Sequence, residues 1–424
     1  MQKTIRINGA NIGLALSIIY ILSTYIATNI VLSTVYQTYS LYALIAWGVM
    51  HIFAQVIRKK KASINSYSSW YGAFLAISFF TMLYSKEFSV FSGAFYKMIV
   101  VFALTLFIYS SIDSDKSLRC VCWAYIIGSI SLFLILYSKG QLKLGLYERL
   151  GNGIIVGNAN GLAIMMMIPV LYSLWLLIYG NYRGIIKVIL LLAVAVDIYV
   201  IMLTGGRKYI IVPVVFLYTL YISKSERNKQ LKMIKYTLIT IAIVYLLYYL
   251  MMNVDSLYSV IGRRMEGMIN GYLGRGTLEA SAKGRDNLRN FAFSHWLGSP
   301  LWGYGFDSYK YYAQEKFGLF AYSHCNFTEM LHNGGIIAFA AYYWIYYVIL
   351  KRGIRSNHSM PSYKALAIAV IISLLLIDYG GITYDSLYEQ IMLMIVVKGF
   401  DLHRENVEGE HNEQGINYAS VAQV

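Results

Sequence analysis

What most constrains the fold of this chain is a recurring run of about 20 apolar residues with hardly a charge inside, the length an α-helix needs to cross a bilayer. A soluble domain could not carry this pattern, because 424 residues with only 13% charged and a mean hydropathy of +0.53 leave too little polar surface. An outer-membrane barrel would instead show alternating segments of about ten residues. Four Pro against 34 Gly rule out collagen-like or Pro-rich disordered chains. The expected fold class is therefore all-α, a polytopic transmembrane helical bundle.

Candidate spans fall at 8–32, 39–57, 70–84, 93–112, 120–137, 157–179, 185–203, 209–222, 236–252, 334–350, 365–379 and 386–400. The first run is too long for a signal-peptide core and lacks a small-residue cleavage site, so it reads as a retained span. With the N-terminus inside, twenty-one Lys and Arg fall on inner segments, against seven on short outer loops and their flanks. That asymmetry predicts about twelve spans with both termini cytoplasmic. A net charge of +15 would suggest nucleic acid in a soluble protein, but here topology absorbs it and no nucleic-acid partner is expected. The expected division is spans one to nine in 1–252, an outer segment in 253–333, spans ten to twelve in 334–400, and a solvated, disordered cytoplasmic tail in 401–424.

The outer segment 253–333 carries eight Lys/Arg and seven Asp/Glu, and it is too apolar for a disordered linker. Within it, 283–297 reads as an interfacial amphipathic helix with Leu288, Phe291, Trp296 and Leu297 near one face and Arg285 and Arg289 one turn apart. The Gly-rich stretch 298–305 that follows must turn sharply.

Outer cations are the minority, so each is informative. Arg207 and Lys208 sit in Thr204-Gly205-Gly206-Arg207-Lys208, where a guanidinium beside a Gly-Gly turn could grip a lipid-linked phosphate, or simply snorkel to headgroups. Arg285 and Arg289 could clamp a diphosphate and stabilise it as a leaving group; headgroup contact or pairing with Asp286 and Glu279 are the alternatives. His324 could serve as general base for a hydroxyl acceptor, titrating near ~6.5 if unperturbed, with Asn326 and Glu329 orienting groups nearby, or it could be a structural histidine. Asp197 and Asp378 are costly in lipid and should face partners in the bundle interior; an ion-coupling role would want matched broken spans in two halves, and none is evident. Cys120, Cys122 and Cys325 make no disulfide framework, and no metal-ligand spacing occurs, so neither metal nor cofactor is expected.

Together, Thr204-Gly205-Gly206-Arg207-Lys208, Gly284-Arg285-Asp286-Asn287-Leu288, Pro300-Leu301-Trp302-Gly303-Tyr304-Gly305-Phe306, and Ser323-His324-Cys325-Asn326-Phe327-Thr328-Glu329-Met330-Leu331 before Gly334-Gly335-Ile336-Ile337 form an ordered set. That set resembles the O-antigen polymerase and ligase superfamily, and within it the Wzy-type polysaccharide polymerases. The resemblance implies a metal-independent glycosyltransferase of the bacterial cytoplasmic membrane with its active site on the extracytoplasmic face. Its donor and acceptor would be undecaprenyl-diphosphate-linked glycans, and a chain-length regulator protein is a further implied partner. It also implies that Arg207 and Arg285 bind the diphosphate and that His324 is the base, while Gly206 stands where such enzymes frequently have Ser. A ligase that moves finished glycan to another acceptor shares donor and frame; a lipid-linked oligosaccharide flippase would need no folded outer segment.

Overall fold

A computed structural model describes residues 9–27, 31–57, 65–144, 148–151, 158–224, 229–275, 280–355 and 360–421. Among them every regular element is helical. In chain order these are α1 (Gly9–Ile26), α2 (Val31–Ile57), α3 (Ser66–Phe80), α4 (Phe88–Ser111), α5 (Asp115–Ser138), α6 (Ala159–Tyr179), α7 (Ile185–Leu203), α8 (Arg207–Ser223) and α9 (Lys229–Asn253). A single turn α10 (Asp255–Leu257) precedes α11 (Arg263–Tyr272), α12 (Ala280–Trp296), α13 (Tyr309–Phe317), α14 (Asn326–Arg355), α15 (Pro361–Asp378) and α16 (Leu387–Val421).

Nine of the described helices are long and apolar enough to cross a membrane: α1, α2, α4 to α7, α9, α14 and α15. The protein is a multi-pass membrane protein. The other three candidate spans are also helical, but α3 has only 15 residues, α8 has 17, and α16 joins an apolar first half to a polar second half. Helix α16 runs on through Val421, across most of the residues expected to form the tail. The tail's start is tethered, because the Asp401 carboxylate and Leu402 are buried against the bundle. Lys3, Arg6 and the basic run 58–61, on which part of the charge asymmetry rests, lie outside the described residues.

Helix starts are set by local chemistry. Asn65 and Asn158 accept from Ser68 N and Gly161 N at 2.7 Å, and Ser114 and Ser117 form a capping box opening α5. Helix α6 is the bundle's centre, buried nearly all round and packed on α5, α7 and α8. By contrast, α9 leaves Leu231, Ile234, Leu238 and Ile241 outward, as a lipid-facing helix does.

The outer segment folds over one end of α14. In α12, Leu288 and Ala292 are buried against Tyr309 and Ala313 of α13, with Phe291 packed beside them. Leu297, expected on this apolar face, is exposed instead, because the helix ends at Trp296 and the chain then turns away. The turn is tied to a break in α14 at Gly335, whose φ is 63°. The break frees backbone groups that the 300–305 loop satisfies: Tyr304 N and Gly305 N donate to His332 O and Asn333 O at 2.9 and 2.8 Å, and Ile336 N donates to Pro300 O at 2.9 Å. Glycine is required at this crossing, because a Cβ on Gly335 would collide with the Leu301 carbonyl.

Candidate active site

Helix α7 stops at Leu203 because Gly205 takes a left-handed φ of 66°, and α8 restarts two residues later without a side-chain cap. A Cβ on Gly205 would lie 3.3 Å from both Arg149 Nε and Arg264 Nη1, so cations press directly on this turn. The positive end of the α8 dipole therefore opens beside several guanidinium groups.

The space they surround is a cavity of about 350 Å³. Six cations line it: Arg149, Arg207, Lys208, Arg264, Arg285 and Arg289. Among the described residues only two carboxylates, Asp286 and Glu389, share the wall. Most of the cations are braced by protein acceptors. Arg149 Nε donates to Thr204 O at 2.7 Å, Arg207 Nη1 to Arg264 O at 3.0 Å, Arg264 Nη1 to Gly205 O at 3.1 Å, and Lys208 Nζ to Gly380 O at 2.8 Å. Arg289 forms an ion pair with Asp286 and lies over the Tyr379 ring, 4.6 Å from its centroid. Arg285 has no hydrogen-bond or ion-pair partner among the described residues. Like charges crowded into a partly dehydrated space repel one another, and an anion with several oxygens relieves that repulsion while supplying the acceptors that Arg285 lacks.

His324 lies on the same wall. Its φ of 60° is uncommon outside glycine and turns the imidazole toward the cavity, half-buried, with its ring 4.2 Å from Tyr322. Burial, then the charges of Arg285, Lys208 and Arg289, push its pKa down to about 4. The ring is thus neutral at pH 7, well below the ordinary titration range expected from sequence.

Asn326 and Glu329 are different. Both are fully buried and neither lines the cavity. The reason is that α14 begins only at Asn326, which points the first turn into the protein. Glu329 Oε2 accepts from Ser323 N at 2.6 Å and so fixes the turn that presents His324. Asn326 donates to Tyr343 OH at 2.9 Å and accepts from Thr383 N at 3.1 Å, which joins that turn to the α15–α16 loop.

That loop was not legible as part of the site. Tyr379, Gly380, Gly381 and Ile382 line the cavity, and a Cβ on Gly380 would sit 3.2 Å from Lys208 Cδ. The Gly380-Gly381 pair was the only signal. Arg149, Arg264 and Glu389 were also missed, although Arg149 belonged to the sparse outer cations. Asp378, expected to find a partner, accepts from Tyr343 OH and Tyr346 OH at 3.1 and 3.2 Å and from Thr383. Asp197 accepts from Ser129 at 3.0 Å. Among the described residues no group of three or more His, Cys, Asp or Glu could hold a metal ion.

Residues 190–343, from within α7 to the middle of α14, match the family model described as O-antigen ligase. That match supports the O-antigen ligase and polymerase superfamily for this chain. The matched segment holds Arg207, Lys208, Arg264, Arg285, Arg289 and His324, whereas Arg149 and the 379–382 loop lie outside it. No curated protein matches the chain.

Proposed function

We propose that the protein is a glycosyltransferase that polymerises undecaprenyl-diphosphate-linked oligosaccharide repeat units at the outer face of the bacterial cytoplasmic membrane. The observation that carries this reading is the convergence, on one cavity, of an uncommitted Arg285, the braced cations Arg207, Lys208 and Arg289, and a neutral imidazole at His324. The guanidinium groups bind the diphosphate of the donor. An acceptor hydroxyl attacks the anomeric carbon, a new C–O bond forms, and the bond from that carbon to the phosphate oxygen breaks with its electron pair moving onto the diphosphate. His324 takes the hydroxyl proton, and the arginines hold the charge that develops on the leaving group. One displacement inverts the anomeric centre. This reading includes a frame of twelve spans with both termini cytoplasmic, no metal in the reaction, and a chain-length regulator as partner.

The family description favours a second reading, a ligase that transfers finished glycan to another acceptor. Deleting the gene and running surface glycan on a ladder gel separates the two. A polymerase predicts loss of long chains with a single repeat retained. A ligase predicts loss of surface chains while lipid-linked polymer accumulates, and an unchanged ladder refutes both.

A further inference from the structure

The end of α14 remote from His324 carries a second cavity that the transfer chemistry does not use. Beyond the break at Gly335, helix α14 runs on from 336 to 355, about 30 Å at 1.5 Å per residue, so its last turns lie roughly a bilayer core away from the break. There α14 and α16 flank an open cavity of about 520 Å³ with Lys351, Arg352, Arg355 and Arg404 on its wall. Asp401 is the one carboxylate among the lining residues, and it is already engaged, accepting from Tyr109 OH at 2.8 Å and from Arg352 at 3.3 Å. Lys351 and Arg355 form no ion pair among the described residues; Lys351 has only the Tyr347 ring, 5.2 Å from its ammonium.

A groove of about 380 Å³ between α3 and α14 adjoins this cavity, because Trp344 and Val348 line both. The rest of the groove is mostly apolar, with Trp70, Ala73, Ala341 and Ile345 on its walls beside Ser66 and Ser69. Trp344 is 58% exposed at the junction. An indole at the meeting point of cations and an apolar channel is what a membrane interface favours.

We propose that the cavity and groove together bind one anionic phospholipid of the leaflet opposite the candidate active site, its phosphodiester at Lys351 and Arg355 and an acyl chain in the groove past Trp344. A free phosphate would use only the cationic half; the continuous groove argues for the lipid. Basic pockets between transmembrane helices are suited to such headgroups. Occupancy would wedge α3 against α14 and so brace the long helix whose other end presents His324.

The test uses full-length protein, delipidated in detergent, titrated with phosphatidylglycerol, phosphatidylcholine or inorganic phosphate and read by native mass spectrometry. We expect phosphatidylglycerol to bind at least tenfold more tightly than phosphatidylcholine, and dihexanoyl phosphatidylglycerol to bind more weakly than the dioleoyl form. Replacing Lys351→Gln with Arg355→Gln, which leaves the Arg352–Asp401 pair in place, should weaken phosphatidylglycerol about thirty-fold, the effect of two interfacial cations. Equal retention of the two headgroups means only annular lipid and overturns the proposal. So does inorganic phosphate binding as tightly as the lipid, or a double variant that binds like wild type. The headgroup and chain-length comparisons need no variant, so a variant that misfolds leaves the proposal decidable, and none of these outcomes depends on glycan transfer.

Discussion

At the scale of single residues, the site divides into cations that hold the protein together and one that does not. Arg207 and Arg264 each donate to the other's neighbourhood, so Arg207→Lys loses a planar fork that braces the α7–α8 turn as well as any bidentate grip on phosphate. Polymer formation should fall sharply even for that mild change, whereas a snorkelling anchor would tolerate it; normal chain length at wild-type protein level would refute the phosphate role. Arg285 has no such structural duty. Arg285→Gln should leave the thermal midpoint unchanged and cut transfer about 10²- to 10³-fold, the range seen when one preorganised charge stabiliser is removed. His324 supplies the pH test. Because burial and neighbouring cations hold its pKa down to about 4, the neutral base persists as pH falls from 7 through 6.5, and is lost only near pH 4. The acid limb of the pH–rate profile in proteoliposomes should therefore lie near 4. A limb near 6.5 would mean that the base is another group or that the cations do not face the imidazole. His324→Gln should abolish transfer while donor binding survives.

At the scale of elements, the broken α14 and the loops against it decide how His324 is presented. Glu329→Ala would leave Ser323 N without its acceptor in a buried turn, a loss of about 1–3 kcal/mol. It should lower the thermal midpoint and also reduce transfer, since the left-handed turn at His324 is no longer held. Gly335→Ala forces a side chain into a φ of 63° and against the Leu301 carbonyl, and should destabilise the fold by roughly 1–3 kcal/mol or more. Detergent-solubilised protein read by thermal unfolding checks both. The helices themselves were legible, because apolar length is a local property. The break was not, because a Gly-Gly pair at the start of a span reads the same whether or not another loop crosses it; only the hydrogen bonds from Tyr304 N and Gly305 N of that loop to His332 O and Asn333 O, and from Ile336 N back to Pro300 O, show why it is there.

At the scale of the whole molecule, the question is which helices cross and which way they face. Exposed Lys224, at the end of α8, and exposed Lys316, at the end of α13, bracket α9 alone among the long apolar helices. Introduced as single cysteines after removal of Cys120, Cys122 and Cys325, they should label from opposite faces, Lys224→Cys from the cytoplasm. Labelling from one face would mean that α9 does not cross and that the outer segment is misplaced.

The sequence by itself determined an all-helical membrane chain with a folded segment before α14, and it singled out Arg207, Lys208, Arg285, Arg289 and His324 as candidates, because hydropathy, charge and turn chemistry are written residue by residue. Only the tertiary structure decided which of these meet. Arg264, 57 residues beyond Arg207, donates to the turn before it; the carbonyl of Gly380, 172 residues beyond Lys208, accepts a hydrogen bond from its ammonium; and Asn326 and Glu329, close to His324 in sequence, turn inward instead. The direction a side chain takes depends on where its helix begins and on partners brought from distant segments, and neither is carried by spacing along the chain.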